Sequence, residues 1–205
     1  MTIQETAKST NGLDMALEAA TSTDVQALFE RIQALEARVA ELEEAPAQDI
    51  EDRLAMVVFS GELDRAIAAF IIATGAAAMG LEVSMFFTFW GLSVVKKERM
   101  YGDKKLLEKG FTLMQPGGSQ GLGLSQMNFF GVGSRLIRKM MKDQDVASLE
   151  EMMGMAQEFG VRMVACDMTR ELMGIREDEL IDGMETGGVA TFMGDAARAK
   201  ASLFI

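Results

Sequence analysis

The first regular pattern of apolar positions along the chain runs from residue 25 to residue 42. Apolar side chains recur there at alternating intervals of three and four residues, at Val25, Leu28, Ile32, Leu35, Val39 and Leu42. This is a heptad repeat with β-branched residues at the a positions and leucine at the d positions, which favours two parallel helices. The pattern predicts a coiled-coil helix over 23–45, beginning at a Thr23/Gln26 capping box. An amphipathic helix packed on its own domain is the alternative.

The charged residues that flank this repeat agree with a parallel dimer. In the heptad register, Arg31 would face Glu36 of a second copy, and Arg38 would face Glu43. The preceding residues, 1–22, are small and polar and predict a disordered tail. The following residues, 46–52, contain a proline and an acidic run and predict a linker. The sequence therefore places an oligomerising arm before one larger domain over 53–205.

That larger domain begins with a pattern typical of parallel sheets. The apolar run Leu54–Phe59 predicts a buried strand, residues 62–79 predict a helix, and Leu81–Thr88 predicts a second strand. A strand, a helix and a strand within so short a segment form a βαβ unit. We therefore expect an α/β domain with a mainly parallel sheet and helices on its faces.

The remaining pattern predicts further elements. They are a basic helical segment over 96–109 that is broken at 101–103, a basic helix over 135–142, a helix from a Ser148/Glu151 capping box to Phe159, a strand over 161–166, a helix over 167–173, a strand over 188–193, a helix from Asp195 to about Phe204, and a further strand over 110–114. The glycine-rich segment 110–134 carries no phosphate-binding motif, and we interpret it as a lid or an oligomer contact.

A membrane span is the alternative interpretation of the apolar stretch 66–95. Its only charged residue is Glu82, which lies near its middle. A carboxylate at the centre of a bilayer costs about 2.5–3.5 kcal/mol or more. A buried helix followed by a buried strand explains the same stretch without that penalty, so a span is not favoured, and peripheral membrane contact stays open.

Composition and charge narrow the chemistry. The 205 residues contain no histidine and one cysteine, which excludes imidazole bases, histidine-bound zinc and an intrachain disulfide. The net charge of −11 disfavours nucleic-acid binding, yet residues 96–142 hold 10 basic and 3 acidic side chains. That segment would attract an anion or an acidic membrane surface, or it is a solvated pair of basic helices. No secretory signal is visible, so we expect a reducing, cytoplasmic setting. We also expect no cofactor and no metal.

Candidate site residues follow the predicted strands. Ligand sites in open α/β sheets lie at the carboxyl ends of the strands. Those ends are Ser60–Gly61, Thr88–Gly91 and Cys166–Asp167, and the helix predicted after Cys166 would offer free amides that favour a thiolate. Arg170 would add positive charge, opposed by Asp167 and Glu171. Alternatively, Cys166 is a small buried core residue, as free cysteines often are.

Several ordered blocks of residues 53–205 resemble the DsrE/DsrF-like family, in particular its longer subgroup found with rhodanese and TusA-like sulfur carriers. The blocks are Phe86–Leu92, Gly160–Ile175, Glu179–Gly183 and Gly187–Thr191. The resemblance implies a flavodoxin-like three-layer α/β/α domain that oligomerises. It also implies a cysteine, by position Cys166, that holds sulfane sulfur as a persulfide. The arm over 23–45 lies outside the resemblance.

The resulting hypothesis is a sulfur carrier or sulfurtransferase component with thiol proteins as sulfur donor and acceptor. Its predicted pocket around Cys166 consists of Ser60, Gly61, Thr88, Trp90, Gly91, Asp167, Thr169 and Arg170. The competing hypothesis is a non-enzymatic module for oligomeric assembly or small-ligand binding, in contact with a membrane surface in one version, in which Cys166 is structural.

Overall fold

A computed structural model describes residues 26–40, 50–97 and 106–205, and the chain divides into a unit up to Gln48 and a unit from Asp49. In the first unit, residues 26–40 form helix α1. Its apolar residues are exposed when the unit is taken by itself; they are Leu28, Phe29, Ile32, Leu35 and Val39. The predicted disordered tail, the capping residue Thr23 and the repeat positions Val25, Leu42 and Glu43 lie outside the described residues.

The second unit is built on a parallel sheet, as the sequence predicts. Its five described strands are β1 (Glu51–Val58), β2 (Glu82–Phe87), β3 (Arg162–Cys166), β4 (Glu185–Gly187) and β5 (Ala199–Phe204). Their order is β4-β3-β2-β1-β5, and every neighbouring pair is parallel. Flavodoxin itself has the order 2-1-3-4-5. Here the order of the strands reverses between β1 and β5.

Helices lie on both faces of this sheet and complete the three-layer α/β/α architecture. The helices are α2 (Leu63–Ala78), α3 (Leu106–Met114), α4 (Val132–Asp143), α5 (Leu149–Glu158), α6 (Asp167–Leu172) and α7 (Val189–Ala196). The main core lies between the sheet and α2 with α5, where Phe70, Met85 and Met163 are buried. A smaller cluster on the opposite face joins Phe86, Val164 and Cys166 to Phe192 of α7.

Local chemistry sets the ends of these helices. The Ser148/Glu151 capping box is confirmed: the Glu151 amide donates to Ser148 Oγ at 3.3 Å, and the Ser148 amide donates to Glu151 Oε2 at 2.7 Å. The backbone hydrogen bond from Ser148 holds the pKa of Glu151 below its ordinary value. Helix α2 ends before Gly80, whose φ of +87° suits a residue without a side chain.

Three predicted elements in the second unit are wrong. Of the strand predicted over 188–193, residues 189–193 belong to helix α7; residues 199–204 form strand β5 rather than a helix, and residues 110–114 belong to helix α3 rather than to a strand. A short apolar run does not distinguish a buried strand from a helix by periodicity. In α7 the helical spacing puts Phe192 and Asp195 on the same side, against the sheet.

The apolar stretch 66–95 is a packed helix and a strand, as favoured from the sequence. None of the described helices combines the length and apolarity needed to cross a membrane. At its end Lys96 is fully buried and lies 3.3 Å from the Glu179 carboxylate, in a β-bridge with Leu180. The sequence predicts Lys96 in a basic helical segment, and this is wrong. Its buried ion pair and β-bridge attach Lys96 to the segment that precedes β4.

Candidate functional site

The predicted site residues meet at the carboxyl edge of the sheet. Strands β1, β2 and β3 are neighbours and parallel, so the segments that follow them leave the sheet side by side. Two of these segments contact each other through the backbone: Gly91 N donates to the Phe59 carbonyl at 2.8 Å, and Thr88 N donates to the Val58 carbonyl at 3.1 Å. The loops after β1 and β2 therefore form one packed rim.

Glycine is required at this rim because the two backbones approach closely. A Cβ at Gly91 would lie 2.0 Å from the Val58 carbonyl oxygen, and a Cβ at Gly61 would lie 2.6 Å from the Trp90 carbonyl oxygen. Neither distance leaves room for a side chain. Gly61 and Gly91 thus contribute close packing of the two loops, which fixes the positions of their neighbours Ser60 and Trp90.

The rim is joined to the cysteine-bearing strand by a pair of threonines. Thr88 follows β2, Thr169 lies in α6 directly after β3, and their Oγ1 atoms are 2.9 Å apart. Thr169 is completely buried. This hydrogen bond holds the start of α6, and with it the end of β3 at Cys166, against the end of β2.

Cys166 is the last residue of β3 and the residue that precedes α6. Its side chain is 5% exposed and belongs to the apolar cluster with Phe86 and Val164, against which Phe192 packs. Cys166 pairs in register with Gly187, the last residue of β4. The thiol thus lies at the expected end of the sheet but beneath helix α7, rather than open to solvent.

The charged residues of the predicted pocket are engaged with each other. Arg170 Nη2 lies 3.6 Å from the Asp167 carboxylate and 3.4 Å from that of Glu177. Arg170 Nη1 also donates to the Ile175 carbonyl at 3.5 Å. These partners balance the Arg170 charge locally, so its expected role in stabilising an anion on Cys166 has no support from its contacts.

Ser60 and Trp90 occupy different parts of the rim. Ser60 is buried, and its Oγ accepts a hydrogen bond from Arg65 Nη1 at 2.8 Å. Trp90 is 49% exposed. Nearby, the Phe59 ring lies 5.3 Å from the Phe89 ring, measured between centroids, and 5.7 Å from the Phe204 ring. The rim therefore presents an aromatic surface, whereas Ser60 is buried inside it.

Helix α7 is the part of the site that the sequence did not predict. Phe192 packs against the Cys166 cluster, and its ring lies 5.5 Å from that of Phe86. Three residues further on, buried Asp195 accepts hydrogen bonds from Arg53, from Ser84 at 2.8 Å and from Arg162 at 2.7 Å. A helical spacing after Gly187–Gly188 is the sequence signal that could have identified α7 as the cover over Cys166.

Two cavities among the described residues lie away from Cys166. One of about 950 Å³ lies between α4, α5 and α2 and includes Arg138, Met141 and Glu150. Another of about 490 Å³ lies at the amino ends of the strands, beside Arg53 and Arg162. Across the described ranges, no three Cys, Asp or Glu side chains are placed to share a metal ion.

Comparison with known proteins identifies relatives of the whole second unit. The family model of the DsrE/DsrF/DrsH-like family matches residues 50–204. The uncharacterized protein YrkE of Bacillus subtilis is 47% identical over 154 residues, which cover 75% of this chain and 96% of that protein. The sulfur carrier protein DsrE2 of Allochromatium vinosum is 36% identical over 159 residues, 76% of this chain and 99% of that protein.

Among solved structures, the ychN protein from Escherichia coli is similar with a TM-score of 0.43 and 13% sequence identity. The match covers 76% of this chain and 99% of that one. The α/β fold of this chain is established by its own strand order and layers.

Proposed function

This chain belongs to the DsrE/DsrF/DrsH-like family, and on that premise we propose that it is a sulfur-relay protein that holds sulfane sulfur as a persulfide on Cys166. The observation that carries the proposal is the similarity to a sulfur carrier protein along 99% of that protein's length. Cys166 is the chain's one cysteine, so a thiol-based function would depend on it. Its position at the carboxyl end of β3 is the position where parallel sheets present reactive groups.

The proposed transfer needs one thiol from this chain and one from each partner. The Cys166 thiolate attacks the outer sulfur of a donor persulfide, a new sulfur–sulfur bond forms, and the donor thiolate leaves. A thiolate of the acceptor protein then attacks the terminal sulfur and releases Cys166 as a thiolate. No net oxidation occurs, so a donor that already carries a persulfide and an acceptor with a free thiol suffice. A reducing compartment such as the cytoplasm suits this exchange because the thiol stays reduced between transfers.

Burial makes one step necessary before any exchange. Cys166 is 5% exposed as a residue, which leaves its thiol too buried to attack a protein-bound persulfide. Phe192, which packs against the Cys166 cluster, belongs to α7, a short helix of 8 residues on that face of the sheet. We therefore expect the first turn of α7 to move when a partner docks on the aromatic rim at Trp90 and Phe204.

The same burial favours the second candidate function. If Cys166 is a core residue between Phe86, Val164 and Phe192, the chain acts as an assembly module without sulfur chemistry. In that case the arm would join copies through the exposed apolar positions of α1, and the α/β unit would add further contacts. Both candidates include self-association, so the state of the thiol is what separates them.

Intact-protein mass spectrometry tests the proposal. The full chain and its Cys166→Ser variant are incubated with a persulfide donor and polysulfide, and the mass is measured before and after treatment with dithiothreitol. We expect the unmodified chain to gain about 32 Da, one sulfur atom, in a form that the reductant removes. The variant should gain nothing. An equal gain on Cys166→Ser, or none on the wild type while the donor is loaded, would refute the assignment.

Two further measurements separate the candidates. The first is the rate at which a small disulfide reagent modifies Cys166 in the native and the unfolded chain. A sulfur carrier should react in the native state, whereas a core cysteine should react only after global unfolding. The second is the molar mass by sedimentation, for which a parallel coiled coil through Ile32 and Leu35 predicts at least a dimer. A monomer at high concentration would contradict the role of the arm.

A further inference from the structure

A ridge of exposed apolar side chains crosses the start of helix α4. It consists of Phe129, Phe130, Val132, Leu136 and Met140, which are 71%, 108%, 61%, 56% and 45% exposed. Phe130 is fully accessible, so none of the described residues of the unit covers it. Isolated exposed apolar residues are ordinary, but a contiguous series that includes two aromatic rings marks an interaction surface. We call this series the α4 ridge.

Helical spacing separates the α4 ridge from a basic stripe on the same helix. Val132, Leu136 and Met140 recur every fourth residue and share one side of α4. Arg135, Lys139 and Lys142 follow the same spacing beside them, and all are exposed. The opposite side faces the domain, where Ser134 is buried and Met141 packs against the main core. The ridge and the stripe therefore both face away from the domain.

The aromatic tip of the ridge is held in place by its own backbone. Phe129 and Phe130 both have a positive φ, 40° and 56°. The turn is fixed because the amides of Gly131 and Gly133 both donate to the Asn128 carbonyl, at 2.8 and 3.1 Å. The Leu124 amide donates to Asn128 Oδ1 at 3.2 Å. The two rings are thus presented in a defined conformation outside the core.

The charge on this surface is opposite to that of the rest of the protein. The chain carries a net charge of −11, whereas α4 holds four basic residues and one acid, Asp143. Asp143 lies 3.0 Å from Lys139 in an exposed ion pair, which solvent screens. Arg138 is engaged with Glu150 at 3.1 Å. Arg135 and Lys142 are left to set the positive sign of the exposed stripe.

We propose that the α4 ridge and its basic stripe dock on an anionic lipid surface, with α4 lying in the plane of the headgroups. The features match those of interfacial helices, which combine a buried aromatic and aliphatic side with lysine and arginine on the polar side. Negatively charged headgroups attract such basic residues within a Debye length of the surface. The rings of Phe129 and Phe130 then enter the boundary with the acyl chains.

A second copy of this chain is a poorer occupant of the same surface. A two-fold contact through the ridge would bring the same patch of both copies together, and with it two helices that each carry four basic residues and one acid. Like charges across an interface oppose association. An anionic lipid surface offers the opposite charge together with an apolar layer, and both are needed to cover this ridge.

Cosedimentation with vesicles tests the proposal on the full chain. The probes are vesicles of phosphatidylcholine alone and of equimolar phosphatidylcholine and phosphatidylglycerol. We expect binding to the mixed vesicles that weakens with salt. Phe130→Ser and Leu136→Ser should each weaken it about tenfold, because each removes an apolar side chain that the membrane would bury. Arg135→Gln combined with Lys142→Gln should weaken it about 30-fold, because these two side chains give the stripe its positive charge.

The controls use exposed residues of the same kinds elsewhere on the same unit. Phe159→Ser and Lys200→Gln should bind as the wild type does, since both side chains are exposed outside α4. The proposal is overturned if no vesicle binding occurs, or if binding is unchanged by Phe130→Ser. It is also overturned if Phe130→Ser dissociates an oligomer of the free chain without any vesicle binding, which would assign the ridge to a second copy. Sulfur loading of Cys166 plays no part in this assay, so the two proposals fail independently.

Discussion

Replacing Asp195 by alanine should loosen the helix that covers Cys166. The Asp195 carboxylate is buried, and it accepts hydrogen bonds from Arg53, Ser84 and Arg162, which lie on β1, β2 and β3. It is thus the polar link between α7 and three strands of the sheet. Alanine at this position removes all of these hydrogen bonds and adds no bulk.

The size of the effect depends on which hydrogen-bond partners each donor retains after the substitution. Arg53 keeps Glu51 and Glu82 as partners, and Arg162 keeps Glu185. Each charge-assisted hydrogen bond therefore counts at the low end of its range, about 1.5 kcal/mol. The buried Ser84 hydroxyl loses its acceptor, which costs about 1 kcal/mol more. We expect the free energy of unfolding to fall by about 4 kcal/mol, a large part of the total of about 5–15 kcal/mol for a domain.

Urea unfolding followed by tryptophan fluorescence measures this change. Trp90 is the single tryptophan of the chain and lies in the second unit, so its signal reports that unit alone. For an m value of about 2 kcal/mol per molar urea, the midpoint should fall by about 2 M. The thiol of Cys166 should also react about tenfold faster or more with a small disulfide reagent, because opening of α7 becomes easier.

The matched control is Lys200→Ala, which removes an exposed ion pair with Asp52. Such pairs contribute less than about 1 kcal/mol, so its midpoint should stay close to that of the wild type. If Asp195→Ala unfolds at the same urea concentration as Lys200→Ala, the account of α7 as a helix held by a buried carboxylate is wrong. If it is destabilised while the thiol reacts at the wild-type rate, α7 is not the cover over Cys166.

Two further predictions concern the backbone and the capping box. Gly91→Ala should strongly destabilise the unit, because its Cβ would lie 2.0 Å from the Val58 carbonyl oxygen. Gly75 lies in an exposed part of α2 with open space around it, so Gly75→Ala should raise the free energy of unfolding by about 0.5–1 kcal/mol. The hydrogen bond from the Ser148 amide keeps the pKa of Glu151 below its ordinary value of 4.5, so the ionised carboxylate stabilises the fold above that pH. This stabilisation is lost as the pH falls below about 4.5, and Glu151→Gln should reduce that loss.

Urea midpoints of each variant check both predictions. Equal effects of Gly91→Ala and Gly75→Ala would show that the loops after β1 and β2 are not closely packed. For the capping box, midpoints measured from neutral pH down to about pH 3 are compared with those of Glu158→Gln, on the same helix but outside the box. If both variants respond to acid as the wild type does, the hydrogen bond from Ser148 does not control the titration.

The parts of the fold that could be predicted are those where the sequence pattern is compatible with only one secondary structure. The βαβ unit over 54–88 is confirmed because its strands are bounded by glycine and its helix is long and apolar. The helix at 149–158 is confirmed because a capping box fixes its start. Helix α7 and strand β5 were exchanged because each is short, and their identity depends on tertiary contacts of Asp195 and Phe204 that no local pattern contains.

The candidate site shows the same division. The strand ends at Ser60, Thr88 and Cys166 were located because parallel topology carries them to one edge. The state of the thiol was not predictable, because it depends on Phe192, which is remote in sequence and was assigned to a strand. Asp167 was anticipated beside Arg170, but its second partner, Glu177, was not, since Glu177 approaches only after the chain turns at Gly174.

The strand order has a consequence for how the sheet is assembled during synthesis. Strands β1 to β4 add outwards in the order of the chain, so each new strand finds its neighbour already present. The other edge of β1 must wait for β5, from which most of the domain separates it in sequence. Pairing across so long a separation is slow because the intervening loop must close first. A nascent chain therefore carries an open strand edge at β1 until β5 has been synthesised, and an open edge of this kind is prone to aggregate.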